Sequence, residues 1–140
     1  MEKYFPKLDL VYFKMRAFTE AIQMQLCYGN VPYTYYMAWE YFEKSWPEMK
    51  KEIGFGQLPV LIVDNQTTIW QSGSIMRYTA KLANTLPANE EDRAIADAIF
   101  ESSQELFQPL NATINFKTGE EYEALKKTIL SGFEPKIFYF

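Results

Sequence analysis

The chain has 140 residues and a formal net charge of −4, with 48% hydrophobic and 17% aromatic residues and no histidine. This composition supports a packed apolar core and excludes a disordered chain, and the acidic balance excludes a basic surface for nucleic acid. Without histidine, Ser-His and Cys-His nucleophilic sites and histidine metal sites are excluded, and we expect no metal cofactor.

The first half of the chain alternates β-prone runs with segments of helical periodicity. In chain order these patterns predict a strand over Leu8 to Tyr12, a helix over Arg16 to Tyr28, a strand over Pro32 to Met37 and an irregular helical segment over Tyr41 to Glu52. The helix is expected to end at Gly29-Asn30 and to bury a face formed by Phe18, Ala21, Ile22, Leu26 and Gly29. The irregular segment contains Ser45-Trp46-Pro47, where the proline suits a first helical turn.

The stretch from Gly56 to Tyr78 predicts two short strands and a helix. Pro59 precedes the apolar strand Val60 to Val63, a polar turn follows at Asp64 to Gln66, and Thr67 to Trp70 is the second strand. Ser72 stands at the expected position of a helix N-cap. The helix after it is expected to bury Ile75, Tyr78, Thr79 and Leu82.

The second half of the chain is predicted to be helical. Residues 85–89 have turn composition and predict a linker between 1–84 and 90–140. Asn89, followed by Asp92, predicts an N-cap with an acidic first turn. The long helix after it is amphipathic, with a face of Ile95, Ile99, Ser102, Leu106 and Leu110, and Pro109 is expected to kink it. Gly119 to Phe140 predicts a further helix, with a face of Tyr122, Leu125, Ile129 and Phe133.

The chain contains a single cysteine, Cys27, which excludes an internal disulfide and a CxxC redox pair. We interpret Cys27 as a small hydrophobic residue of the core. No apolar run has the length that crosses a bilayer, and the first residues lack the apolar core of a signal peptide. These observations favour a reducing compartment, most simply the cytoplasm, and no membrane insertion.

Two details of the central stretch suggest chemistry. A proline at the mouth of a strand cannot donate to the sheet, and a cis Leu58-Pro59 bond would account for it by turning the Leu58 backbone outwards. At Gln71-Ser72 a hydroxyl, backbone N–H groups and a helix N-terminus meet, and together they favour a bound carboxylate. The alternative is a core strand, a proline-marked edge and an ordinary serine cap, and local patterns alone favour that alternative.

Two longer sequence words carry a family resemblance. Gly56-Gln57-Leu58-Pro59-Val60-Leu61 and Gln71-Ser72-Gly73-Ser74-Ile75-Met76-Arg77-Tyr78 resemble the thioredoxin-like domain of the cytosolic glutathione transferases. The resemblance implies an α/β thioredoxin-like domain of order β-α-β-α-β-β-α over 1–84. It further implies that residues 90–140 form the first two helices of the family's all-α domain, which would then be truncated.

The same resemblance assigns a glutathione site to the central stretch. It implies that Pro59 is cis and that Leu58 pairs through its backbone with the glutathione cysteine. Gln57 and Pro59 would belong to the same glutathione-binding segment. Gln71 and Ser72 would hold the γ-glutamyl carboxylate. Glutathione is therefore the expected co-substrate.

Tyr12 is the candidate catalytic residue. Tyr12-Phe13-Lys14-Met15-Arg16 resembles the first strand and loop of the tyrosine-type transferases, nearest to the sigma and pi classes. In that family the tyrosine hydroxyl donates a hydrogen bond to the glutathione sulfur. Such a donor lowers a thiol pKa from about 8.5 and increases the thiolate at neutral pH. A tyrosine of the core is the structural alternative.

Further residues match the family's ligand and subunit contacts. Trp46 and Lys50 match residues at the glycyl end of glutathione, against the alternative of a packed tryptophan with a solvated lysine. Glu105 matches an acid that reaches the partner subunit's ligand, against a solvated helix face. Phe55 matches an aromatic key that inserts into the neighbouring subunit. Phe18 departs from the pattern, because a second arginine usually stands there.

Two hypotheses of different classes follow. The first is a glutathione transferase that conjugates the thiolate to small apolar electrophiles, as in detoxification, or isomerises an endoperoxide as some sigma members do. The second is a weak or inactive transferase-like structural subunit of a larger assembly. A homodimer is expected from Phe55 and Glu105. The apolar end, Ile137 to Phe140, predicts either a fragment or a covering subunit.

Overall fold

The computed structural model describes the backbone of residues 4–137 and the side chains of residues 4–112 and 117–131. The chain divides into two compact units, Met1–Leu86 and Pro87–Phe140. The apolar side chains predicted to end the chain, Ile137 to Phe140, lie outside the described side chains, as does Phe133.

The first unit is a sheet with helices on both faces. Its elements are β1 (Leu8–Tyr12), α1 (Ala17–Tyr28), β2 (Thr34–Met37), α2 (Ala38–Phe42), α3 (Trp46–Glu52), β3 (Val60–Val63), β4 (Thr67–Trp70) and α4 (Ser72–Ala83). The strand order is β2-β1-β3-β4, with β1 parallel to β2 and the other neighbours antiparallel. The thioredoxin-like prediction is confirmed, and its irregular helical segment is resolved into α2 and α3.

Alternate residues of β1 face two separate cores. Leu8 and Leu10 pack with Ile22 of α1 and Ile75 of α4 in the larger core. Val11 packs on the opposite face of the sheet in a smaller core, beside Met49 of α3 and Val60 and Ile62 of β3. All five residues of β1 are consequently buried.

Helices α1 and α4 approach each other closely. A Cβ on Gly29, the C-cap of α1, would lie 2.5 Å from the backbone of Ala83, so only glycine fits there. Deeper in the contact, the Thr79 hydroxyl donates to Gln25 Oε1 at 2.6 Å. The predicted α4 face is confirmed at Ile75 and Thr79, which are fully buried.

The predicted buried face of α1 is partly wrong. Ala21 is exposed, while Thr19 is fully buried together with Ile22 and Leu26. Thr19 tolerates burial because its hydroxyl donates to the Arg16 carbonyl at 3.0 Å. Cys27 was also assigned wrongly to the core, since the structure exposes it with its Sγ 3.8 Å from the Tyr33 hydroxyl.

One acidic side chain lies inside the sheet. Asp9, near the start of β1, is 2% exposed. Its Oδ2 forms an ion pair with Lys7 Nζ at 2.9 Å. Its Oδ1 has no hydrogen-bond partner among the described residues. Lys7 is fixed in turn by its Nζ, which donates to Asn65 Oδ1 at 2.9 Å in the β3–β4 turn. This turn has positive φ at Asp64 and Asn65, in agreement with its polar composition.

The second unit contains α5 (Glu90–Phe116) and α6 (Gly119–Ile137). The predicted N-cap of α5 is confirmed, because Asn89 Oδ1 accepts from the Asp92 backbone N–H at 2.7 Å. The helix runs through Pro109. Ile95 and Ile99, two residues of the predicted apolar face of this amphipathic helix, are 59% and 45% exposed. Among the described helices of the chain, none is long and apolar enough to cross a membrane.

Candidate functional site

Three predicted site positions meet at one end of the sheet. Val11 pairs with Val60, and Val60 pairs with Trp70. The residues that come next along each ladder are Tyr12, Pro59 and Gln71. The sheet register therefore places all three at the same end of the strands, which we call the shared sheet edge. Positions that are 47 and 12 residues apart in the chain are thereby brought side by side by backbone pairing alone.

Tyr12 is a buried tyrosine at the end of β1, 3% exposed. Burial raises the pKa of its hydroxyl above the ordinary 10.0, against the opposing effect of a hydrogen bond with the Phe18 backbone at the start of α1. Since the Phe18 N–H donates, the oxygen of Tyr12 is the acceptor and its own O–H remains a donor. The hydroxyl therefore stays protonated through the neutral pH range.

The loop after β1 is held by aromatic side chains that the sequence analysis did not single out. The Tyr35 hydroxyl donates to the Phe13 carbonyl at 2.7 Å, and the Phe13 ring packs edge-on against Trp46 with centroids 5.0 Å apart. The ring centroids of Tyr12 and Phe13 are 5.4 Å apart. Trp46 is thus joined to Tyr12 through Phe13. The cluster of Phe13 and Tyr35 could have been suspected only from the density of aromatic residues.

Helix α3 presents Trp46 and Lys50 one turn apart. The N-cap of the helix is Ser45, whose backbone N–H and hydroxyl donate to Glu48, and these hydrogen bonds lower the pKa of the Glu48 carboxyl. Trp46 is half-buried and Lys50 is exposed. A Cβ on Gly56 would lie 3.3 Å from Lys50 Cγ, so the lysine stem runs along the segment that leads to Gln57.

The Leu58-Pro59 peptide bond is cis, as predicted. Pro59 is buried, and Leu58 is half-buried against the smaller core. Gln57, one residue earlier, is exposed and accepts a hydrogen bond from Gln71 Nε2 at 3.2 Å. The segment before β3 and the corner after β4 are therefore joined by a side-chain contact.

Helix α4 begins one residue earlier than predicted. Gln71, not Ser72, occupies the cap position, with φ +68, and its carbonyl accepts the Ile75 N–H at 3.0 Å. The positive φ of Gln71 turns the chain sharply out of β4, so Ser72 already has helical geometry. Ser72 is half-buried in the first turn, where helix N–H groups point outwards and favour an anion.

The two predicted subunit contacts, Phe55 and Glu105, belong to different units of the chain. Phe55 protrudes from a 3₁₀ turn at Gly54–Gly56 and is 75% exposed. Its ring lies 6.2 Å from that of Trp70. Glu105 is exposed on α5 in the second unit. In the segment after Tyr12, Arg16 Nη1 lies 3.8 Å from Glu20 Oε1 in a surface ion pair. Within the described parts of the chain, no group of three or more His, Cys, Asp or Glu could hold a metal.

A thioredoxin-like sheet that brings a cis-proline, a buried strand-end tyrosine and a helix N-terminus to one end is the arrangement that the resemblance to the glutathione transferases implies. A family model described as glutathione S-transferase, N-terminal domain matches residues 8–81. The chain belongs to the glutathione S-transferase family.

Several known proteins are similar to this chain. It is 30% identical to glutathione S-transferase 4 of Caenorhabditis elegans over 133 residues, covering 93% of this chain and 61% of that protein. It is 32% identical to hematopoietic prostaglandin D synthase of Homo sapiens over 97 residues, covering 69% and 47%. The structure of monomeric Na-GST-3, a glutathione S-transferase of Necator americanus, matches with a TM-score of 0.69 and 28% identity, covering 86% and 58%. The chain thus spans about half to three fifths of the length of these relatives.

Proposed function

We propose that this chain binds reduced glutathione at the shared sheet edge and that Tyr12 activates its thiol. The observation that carries the proposal is the register that places Tyr12, Pro59 and Gln71 together. A hydroxyl donor, an outward-facing backbone and a helix N-terminus are the groups that a thiolate, a peptide and a carboxylate require. Family membership supports the same ligand.

The tripeptide would lie along the shared sheet edge, with its γ-glutamyl end at α4 and its glycyl end at α3. Its γ-glutamyl carboxylate would bind the first turn of α4 at Gln71 and Ser72, and Leu58 would pair with its cysteine backbone. Gln57 supports this end, because its Oε1 already accepts from Gln71. The glycyl carboxylate would then reach Lys50, whose exposed ammonium supplies an opposite charge.

Trp46 would flank the glycyl end of the ligand. Its ring is fixed edge-on by Phe13, so it offers a rigid apolar wall beside the β1–α1 loop. The Phe13 carbonyl is in turn held by Tyr35. The same contacts that place Trp46 therefore also fix the loop that follows Tyr12.

Tyr12 would donate its hydrogen bond to the glutathione sulfur. The thiolate is the stronger hydrogen-bond acceptor, so the donor stabilises it relative to the thiol and lowers the thiol pKa. The thiol proton would pass to solvent, and the thiolate would then attack an electrophilic carbon of a small apolar substrate, forming a C–S bond as the bond from that carbon to a leaving group breaks. The similarity to a prostaglandin D synthase also supports a sigma-type isomerase reaction.

The assembly is proposed to be a homodimer in the cytoplasm. Phe55 protrudes as an aromatic anchor, and Glu105 would contribute to the ligand of the second copy. A monomeric relative makes the oligomeric state the decisive measurement for this part. The single cysteine, which is exposed, suits a reducing compartment.

A second candidate function is a structural subunit of a larger assembly with weak or no activity. The observation that favours it is Phe18, half-buried at the position where the family usually carries an arginine. An arginine at that position would add a charge beside the site, and Phe18 supplies none. The two candidates differ in whether glutathione binds.

Calorimetry of the chain with reduced glutathione tests the proposal. Binding in the millimolar range or tighter is expected, and no heat and no thermal shift at millimolar ligand would overturn it in favour of the structural role. Ser72→Ala should weaken binding by about 1–3 kcal/mol, because it removes a donor to a carboxylate. Ser74→Ala, on the exposed side of the same helix turn, is the matched control and should bind normally. Equal affinity in both variants would assign Ser72 to helix structure alone.

A further inference from the structure

The exposed ring of Phe55 sits on an unusual backbone. Phe55 has φ +63 and ψ +1, a left-handed conformation that residues with a Cβ adopt at a cost. Gly54 and Gly56 flank it, and the Gly56 N–H donates to the Ile53 carbonyl at 2.9 Å. A conformation of this kind persists only where surrounding contacts hold it.

Trp70 supplies that contact from the neighbouring strand. It is the last residue of β4, pairs with Val60, and is 38% exposed. Its ring meets the Phe55 ring edge-on, at 6.2 Å between centroids and 77° between planes, which is a favourable aromatic geometry. The exposed indole thus forms a wall beside the exposed phenyl ring.

Gly54 allows the indole to take this place. A Cβ at position 54 would lie 2.6 Å from Cε2 and 2.7 Å from Nε1 of Trp70, closer than side chains pack. Gly54 has no positive φ, so the glycine is required there by the indole and not by its backbone angles. Gly54, Phe55 and Trp70 form one contact unit, which we call the aromatic bracket.

We propose that Trp70 is a positioning residue that holds Phe55 in its outward conformation, and that Gly54 is the residue that admits it. This inference rests on the proposed role of Phe55 as the anchor for a second copy of the chain. An anchor that is ordered before association loses less conformational freedom when it binds. Trp70 therefore strengthens the dimer by fixing the anchor loop before the second copy arrives.

A double-mutant cycle of Trp70 and Gly54 tests this inference. Trp70→Ala should raise the dimer dissociation constant about tenfold, as expected for loss of an aromatic contact. Gly54→Ala should raise it similarly, because the new methyl group displaces the indole. In the Trp70→Ala background, Gly54→Ala should add less than about a twofold change, since the clash no longer exists. Additive effects of the two substitutions would overturn the inference.

Controls separate this inference from the proposed function. Phe55→Ala should raise the dissociation constant by about a hundredfold, as removal of an anchor does. Trp39→Ala, which removes another exposed tryptophan outside the bracket, should leave it unchanged. Dissociation by Phe55→Ala but not by Trp70→Ala refutes the role of Trp70. A dimer insensitive to Phe55→Ala, or a monomeric parent chain, refutes the anchor itself.

Amide hydrogen exchange tests the bracket independently of association. Trp70→Ala should speed exchange of the Gly56 amide about tenfold, because the loop loses its lateral support. The Val31 amide, which donates to the Leu26 carbonyl at 2.9 Å outside the bracket, should be unaffected. Trp70→Phe should restore part of the protection. Unchanged protection of Gly56 in Trp70→Ala would contradict the inference whatever the oligomeric state.

Discussion

Replacement of Tyr12 by phenylalanine removes one hydroxyl with two hydrogen-bond functions. The oxygen accepts from the Phe18 backbone at the start of α1, and the O–H is the proposed donor to the glutathione sulfur. The ring itself remains buried at the end of β1, so packing is preserved. The substitution therefore isolates the hydroxyl.

The expected size of the effect follows from these two contacts. A hydrogen bond to a charged acceptor contributes about 1.5–3 kcal/mol, which corresponds to a thiol pKa higher by about 1–2 units in the variant. Loss of one donor aimed at an anion can lower turnover on the order of 10²-fold. The freed Phe18 N–H should cost about 1 kcal/mol of folding stability.

The assay is an ultraviolet titration of the thiolate of bound glutathione. Tyr35→Phe is the matched control, because it removes a tyrosine hydroxyl that donates to the Phe13 carbonyl at 2.7 Å and leaves the Tyr12 hydroxyl in place. The control should lose some stability and keep the thiolate pKa of the parent chain. In the parent chain the donor should persist from neutral pH to above 10, since burial raises the pKa of Tyr12.

A titration curve of Tyr12→Phe that coincides with that of the parent chain would refute the assignment. It would move thiol activation to another group and leave Tyr12 as a core residue. An equal shift in Tyr35→Phe would refute it differently, because a general loosening of the loop would then explain both results.

Three further predictions concern folding. Gly29→Ala should destabilise the chain by about 1–3 kcal/mol, since the new Cβ would lie 2.5 Å from the backbone of α4, and urea denaturation would measure it. Thr79→Val should cost about 1–2 kcal/mol by removing the donor to Gln25, and an unchanged midpoint would show that water replaces it. Burial, with the Cys27 contact, raises the pKa of Tyr33 to about 12 from 10.0, so stability should hold below pH 10 and fall towards pH 12. The folding stability of Tyr33→Phe should fall less steeply over that pH range, as thermal melts would measure.

The sheet and its helices could be predicted because their sequence signals are local. The apolar run after Pro59 identified β3, and the β-branched and aromatic residues after the polar turn identified β4. The word around Gln71 identified the start of α4 to within one residue. The cis bond at Pro59 was suggested by its place at the mouth of a strand and predicted by the family resemblance of the words around it. These features depend on neighbours in sequence.

The errors arise where tertiary contacts decide. Periodicity alone predicted that Ala21 is buried, but the structure buries Thr19 instead. Thr19 can be buried because its hydroxyl donates to the Arg16 carbonyl. Cys27 was judged from its apolar character, although its position on α1 turns it to the surface. The pairing of Phe55 with Trp70 joins residues that are 15 positions apart, and no spacing rule reveals it.

The buried carboxylate of Asp9 has a consequence for how the sheet assembles. In the native register Asp9 lies opposite Ile62, on the face where Lys7 reaches it. A slip of one residue would turn every β1 side chain to the other face and carry the carboxylate into the apolar core of Leu10 and Ile75. An unpaired carboxylate there costs on the order of several kcal/mol, so misaligned pairings are penalised once α1 and α4 cover this face of the sheet. A single buried carboxylate thereby distinguishes the native register of β1 from the registers one residue away.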